Sequence, residues 1–149
     1  MKPLLLCPID FSSASEFAFE RTLALAQVLD CAVQVLHVYE PAELRPDPGF
    51  FLYAGNLRPL RDIVRDQAER SLAEFAEAHA TTEVEVSYRA VEGRAAEAIV
   101  EEAGKGNYRM VVMATRGRTG LAHLLLGSVA ERVVRLSPVP VLTIKAERG

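Results

Sequence analysis

The chain has 149 residues, 50% of them hydrophobic and 25% charged, which is too apolar for disorder and long enough for one domain that buries about two thirds of its unfolded surface. A net charge of −3 offers no strongly positive face to neutralise a phosphate backbone or an anionic bilayer, so neither nucleic acid nor a membrane is an expected partner. Cys7 and Cys31 stand in apolar stretches with no second cysteine or histidine at metal-ligand spacing; they read as buried thiols of a reducing compartment, and no disulfide or structural metal is needed.

Met1 to Asp10 carries one lysine and a short apolar run that meets an acid, unlike a secretory signal or a membrane span, so a cytoplasmic location is expected. Within it, Leu4 to Pro8 predicts a strand buried on both faces and ending at Asp10. Ser13 with Glu16 has the capping-box spacing and predicts a helix to about Asp30. Ala32 to Tyr39 predicts a second strand. Glu40 to Asn56 is long for a connection; it holds Pro41, Pro46, Pro48 and Gly49 beside Phe50, Phe51 and Tyr53, a candidate lid or contact surface unless these aromatics fold back on the core. Leu57, Leu60, Val64, Ala68, Leu72 and Phe75, spaced by threes and fours, mark one long helix with Pro59 in its first turn. A strand over Val84 to Val91, a helix over Arg94 to Ala103 closed by Gly104, and a strand over Met110 to Ala114 come next. Ser128 and Glu131 repeat the capping-box spacing ahead of Val129, Val133 and Leu136, and Val139 to Ile144, with Pro140, predicts the last strand.

Strands alternating with helices imply an α/β fold, a single domain over residues 1–149 built on an open parallel sheet of five strands with right-handed crossovers. Ligands of such sheets sit beyond the carboxyl ends of the strands, where the winding direction switches. The segment Met113 to Ser128 follows such an end. Gly117 suits a tight turn after the strand, and Gly127 with Ser128 puts unpaired amides at a helix N-terminus, a combination that suits a polyphosphate. Arg116, Arg118 and His123 are candidates for outer phosphates. Asp10, at the first strand's end, can accept from a ribose hydroxyl or an adenine amine.

The same segment, with Ala114, Gly117, Gly127 and Ser128, resembles the universal stress protein signature: Gly, two residues, Gly, nine residues, Gly-Ser. The likeness runs through LLLCPIDFS, VLHVYEP and GSVAERVVRLSPVPVLTIK in the family's order. It implies strand order 3-2-1-4-5 with helices on both faces (an adenine nucleotide alpha hydrolase-like fold), ATP as ligand with or without magnesium, and a homodimer joined through Val139 to Ile144. It implicates Pro8, Ile9 and Asp10 at adenine and ribose, Val38 along the adenine, and Met113, Ala114, Thr115, Arg116, Gly117, Gly127, Ser128 and Val129 around ribose and phosphates. The role implied is a nucleotide-dependent regulator in the stress response; a member that has lost the nucleotide and works by protein contacts, and a slow ATP hydrolase, are the alternatives.

Ala114 departs from the pattern. Where the family has its first glycine, a positive φ would make the methyl cost on the order of 1 kcal/mol, while an extended backbone would make it harmless. Arg109 stands where the family commonly has an acid and reads as a surface exchange. Efficient catalysis is not expected: GxxxxGK[ST] and GxGxxG are absent, and Asp10 is the one evident acid at the site. His37 and His79 fall on a strand and an amphipathic helix, positions of packing or surface rather than catalysis. A phospho-receiver domain shares the fold class, but Tyr88, Arg89 and Ala90 stand where its aspartate belongs.

Overall fold

The structure is a computed structural model that describes residues 1–41, 50–53, 55–117 and 126–146. The elements run β1 (Leu4–Ile9), α1 (Ser13–Leu29), β2 (Ala32–Tyr39), β3 (Phe50–Tyr53), β4 (Asn56–Pro59), α2 (Leu60–Ala78), β5 (Val86–Glu92), α3 (Ala95–Ala103), β6 (Tyr108–Ala114), α4 (Ser128–Leu136) and β7 (Val141–Ile144). The parallel sheet has five strands in the order β5-β2-β1-β6-β7, which is 3-2-1-4-5 when its own strands are counted along the chain.

Side-chain alternation along the strands divides the core into two layers. Leu5, Cys7, Ile9, Val33, Val35 and Val112 pack with Phe19 and Ala26 of α1 and Leu72 and Phe75 of α2. On the opposite face Leu6, Leu36, Val111 and Met113 pack with Ala96 and Ile99 of α3 and Ala130 and Val133 of α4. Leu5, Leu6, Val33, Val111 and Val112 are fully buried, as a parallel sheet covered on both faces requires.

Several boundaries differ from the sequence reading. The residue capping α1 is Ser12, whose Oγ accepts from Ser15 N, and not Ser13. Gly127, without a side-chain bond, precedes α4, so Ser128 opens the helix instead of capping it. Leu57 lies outside α2: residues 50–53 and 56–59 pair as antiparallel strands, Tyr53 with Asn56, Gly55 has φ 82°, and Leu57 is 69% exposed. Part of the expected long connection is therefore strand, while Pro46, Pro48 and Gly49 lie outside the described residues. The last strand begins at Val141, because the Ser137 hydroxyl takes the Val139 amide.

The geometry that matters for function lies between β1 and β6. β1 pairs with β2 along its whole length, to Ile9 against His37, but pairs with β6 only from Leu4 to Leu6. Pro8, which has no amide to contribute, sits beyond that last pair, and from there the two central strands part. This is also the point where the winding direction switches.

Candidate nucleotide-binding cleft

A cavity of about 410 Å³ opens at that parting, between the carboxyl ends of β1 and β6 and the first turns of α1, α3 and α4. Pro8, Ile9, Asp10, Val38, Met113, Ala114, Thr115, Arg116, Gly117, Gly127, Ser128 and Val129 all line it. It also takes in Ser15, Leu36, Ala95, Ile99 and Ala130, which the sequence reading did not name. Leu36 could have been found from Val38, two residues on and so on the same strand face; Ala95 and Ile99 share one face of α3. Arg118 and His123 lie outside the described residues.

Asp10 forms the polar corner. Its Oδ1 accepts from the Ser12 amide at 3.0 Å and the Ser12 hydroxyl at 2.5 Å, and its own amide lies 3.4 Å from Ser15 Oγ. The positive end of α1 is thus occupied by the chain's own carboxylate. The residue after it, Phe11, has φ 63°, a conformation that costs a bulky L-residue on the order of 1–2 kcal/mol.

At both signature positions close approach, and not a left-handed backbone, favours glycine. A methyl at Gly117 would stand 2.5 Å from Asp10 Oδ2. At Gly127, where φ is −70°, a methyl would stand 3.3 Å from the Thr115 carbonyl, which accepts the Gly127 amide at 2.6 Å. That bond ties the start of α4 to the end of β6. The amides of Ser128, Val129 and Ala130 then occupy a first turn, where no helix carbonyl is available to them. They form the electropositive corner, with half-buried Arg116 beside it.

Ala114 is extended, within β6, and pairs with Ile144. It has the parity of Val112, and both Val112 and Ile144 belong to the α1/α2 layer, so its methyl is on the sheet face opposite Met113, while the residue itself lines the cavity, as does Ile9 of that same layer. In an extended strand, the methyl in place of the family's glycine does not strain the chain.

The remaining candidates lie elsewhere. The Nδ1–H of His37 donates to the Ile9 carbonyl at 3.0 Å, beneath the cleft. His79 closes α2, stacked on Phe75 with Nε2 2.9 Å from Glu16 Oε1. Cys7 is fully buried, and burial pushes its thiol up to about 12, against the opposing bond from the Thr22 hydroxyl. Among the described residues no cluster of histidine, cysteine, aspartate or glutamate could hold a metal ion. The arrangement is chemically a binding site: an apolar wall of Leu36, Val38, Ile99 and Met113, one carboxylate, and a row of helix-initial amides.

The model of the universal stress protein family matches residues 4–145. A universal stress protein of Thermus aquaticus, encoded beside a QAH/OAS sulfhydrylase gene, is 31% identical over 95% of this chain and 97% of its own length. The solved structure of MJ0577, a universal stress protein of Methanocaldococcus jannaschii, is 27% identical, with a TM-score of 0.79 over 100% of this chain and 99% of that one. A universal stress protein solved in complex with cAMP shares the fold, at 22% identity and a TM-score of 0.69 over 98% of each chain.

Proposed function

The chain belongs to the universal stress protein family, and on that premise we propose that its cleft binds ATP and that occupancy controls partner contacts of a cytoplasmic homodimer. The observation that carries this reading is the convergence of the signature residues on one open cavity at the switch point, with Ala114 extended within β6. The residues fit an adenine nucleotide. Val38, Leu36, Ile99 and Met113 offer an apolar slot for the purine, Asp10 accepts from ribose, and the α4 amides with Arg116 take the phosphates. A neighbour of the same fold holds cAMP, so the architecture admits an adenine nucleotide. Magnesium would be carried on the phosphates.

Among the described residues, Asp10 is the one acid on the cavity wall, and the engagement of its Oδ1 by Ser12 supports reading it as a binding residue. Dimerisation through β7 is supported by an edge strand beside exposed apolar side chains, Leu142 at 41%, Val134 at 46% and Leu136 at 48%. No described helix is long and apolar enough to cross a membrane. Titration calorimetry of the purified chain with ATP and magnesium tests the reading, alongside ultraviolet absorbance of copurified nucleotide. Saturable heat and a rise in melting temperature are expected; neither heat nor thermal shift would overturn it.

A further inference from the structure

Two described non-glycine residues have positive φ: Phe11 at 63° and Asp30 at 51°. Asp30 is explained locally, because it ends α1 as a left-handed cap, a conformation that aspartate tolerates. Phe11 ends no helix, and an aromatic side chain is among the poorest choices for that region. Strain of this kind persists only where the surroundings over-determine it.

The surroundings of Phe11 do so. Its ring lies 4.4 Å from that of His37 and 6.0 Å from that of Phe75, drawn down against the α1/α2 layer. His37 in turn donates from Nδ1 to the carbonyl of Ile9, two residues before Phe11, at 3.0 Å. The turn Ile9–Ser12 is therefore held at both ends from below: by a hydrogen bond before Asp10 and by a tilted ring contact after it. The left-handed residue brings Ser12 back so that its amide and hydroxyl meet Asp10 Oδ1. Neither Phe11 nor His37 lines the cavity, while Asp10 does.

We infer that Phe11 and His37 form a clasp that fixes the Asp10 carboxylate in the cleft and thereby sets selectivity for a ribose over a sugar without hydroxyls. They are positioning residues, and the inference rests on the reading of Asp10 as the ribose acceptor. Phe11→Gly tests it in the full chain, since glycine adopts φ 63° freely and loses only the ring. His37→Phe is the second variant, keeping a ring for the contact with Phe11 and removing the bond to Ile9, and it decides the matter if Phe11→Gly does not fold.

Dissociation constants for ATP and 2′,3′-dideoxy-ATP are measured for wild type and both variants. Wild type is expected to prefer ATP about tenfold or more, as a hydrogen bond to a charged acceptor implies. In the variants that ratio falls to about two or less, while the dideoxy analogue binds within about threefold of wild type. Equal weakening of both ligands with the ratio preserved, or no change in either, would overturn the clasp. A wild type that binds both ligands equally overturns it as well, by removing Asp10 from sugar recognition. A wild type that binds neither instead refutes ATP binding itself, so the two failures are distinguishable.

Discussion

Replacing Gly117 with alanine gives the sharpest test of how the cleft is assembled. The added carbon would lie 2.5 Å from Asp10 Oδ2, about 0.8 Å inside the roughly 3.3 Å at which carbon and oxygen meet in the tightest common contacts. Residue 117 is in open coil, but Asp10 is tethered through its other oxygen to Ser12 at 3.0 and 2.5 Å. Among the described residues the methyl meets nothing but Asp10 within 4 Å, so the carboxylate must turn away or β6's trailing loop must lift. The first outcome takes Asp10 from the proposed nucleotide and the second displaces the loop facing it, and losing a charged hydrogen bond of about 1.5–3 kcal/mol raises Kd roughly 10- to 150-fold. Calorimetry with ATP on wild type, Gly117→Ala, Asp10→Ala and the double variant reads this as a cycle. With Asp10 already removed, the Gly117→Ala change is expected to add less than about twofold. If the two losses instead multiply, the methyl obstructs the nucleotide directly, and the close approach of Gly117 to Asp10 is not why glycine stands there.

The Ala114→Gly variant should leave ATP affinity within about twofold, while costing about 0.5–1 kcal/mol of stability in thermal melts, as glycine in a strand does; a large gain in affinity would show that the methyl does reach the nucleotide. The Cys7 thiol is raised to about 12 from an ordinary 9.0, so the unfolded chain loses that proton first. Stability is then complete below about pH 9 and falls as pH rises toward 12, by up to about 1.4 kcal/mol per unit. Denaturant melts of Cys7→Ala should show a shallower alkaline decline than wild type, and an unchanged slope would exclude this thiol as its source. Leu142→Glu, on the edge strand where residue 142 is 41% exposed, should leave the proposed homodimer monomeric by sedimentation velocity; a variant still sedimenting as a dimer would place the interface elsewhere.

Much of this architecture was legible because the sequence repeats its signals at several levels. Apolar runs ending in polar turns located the strands of the sheet, and the spacing of Gly117, Gly127 and Ser128 pointed to the loop that lines the cleft. What escaped depended on contacts between distant segments. Adjacent serines at 12 and 13 have the same chemistry, and only the helix axis decides that Ser12 reaches the Ser15 amide. The reason for Gly117 could not be read locally, since it is a carboxylate more than a hundred positions earlier. Leu57 continued the helical spacing of α2 by coincidence, whereas the Arg58–Asp66 ion pair fastens its hairpin strand across that helix. Ala114 looked like a lesion from its position in a motif, and its place in an extended strand removes the strain a methyl would meet at positive φ.

The groups heading α4 belong to the main chain, and this has a genetic consequence. Exchanging the side chain of Ser128 or Val129 leaves each amide where it was, so a saturation library scored for nucleotide retention should tolerate most alleles at those codons, proline excepted. Intolerance should concentrate at codon 127, whose only contribution is to let two stretches of backbone touch. An alanine scan would consequently misplace the proposed anion site by about one residue, and replacing a single amide with an ester, by semisynthesis, would test it.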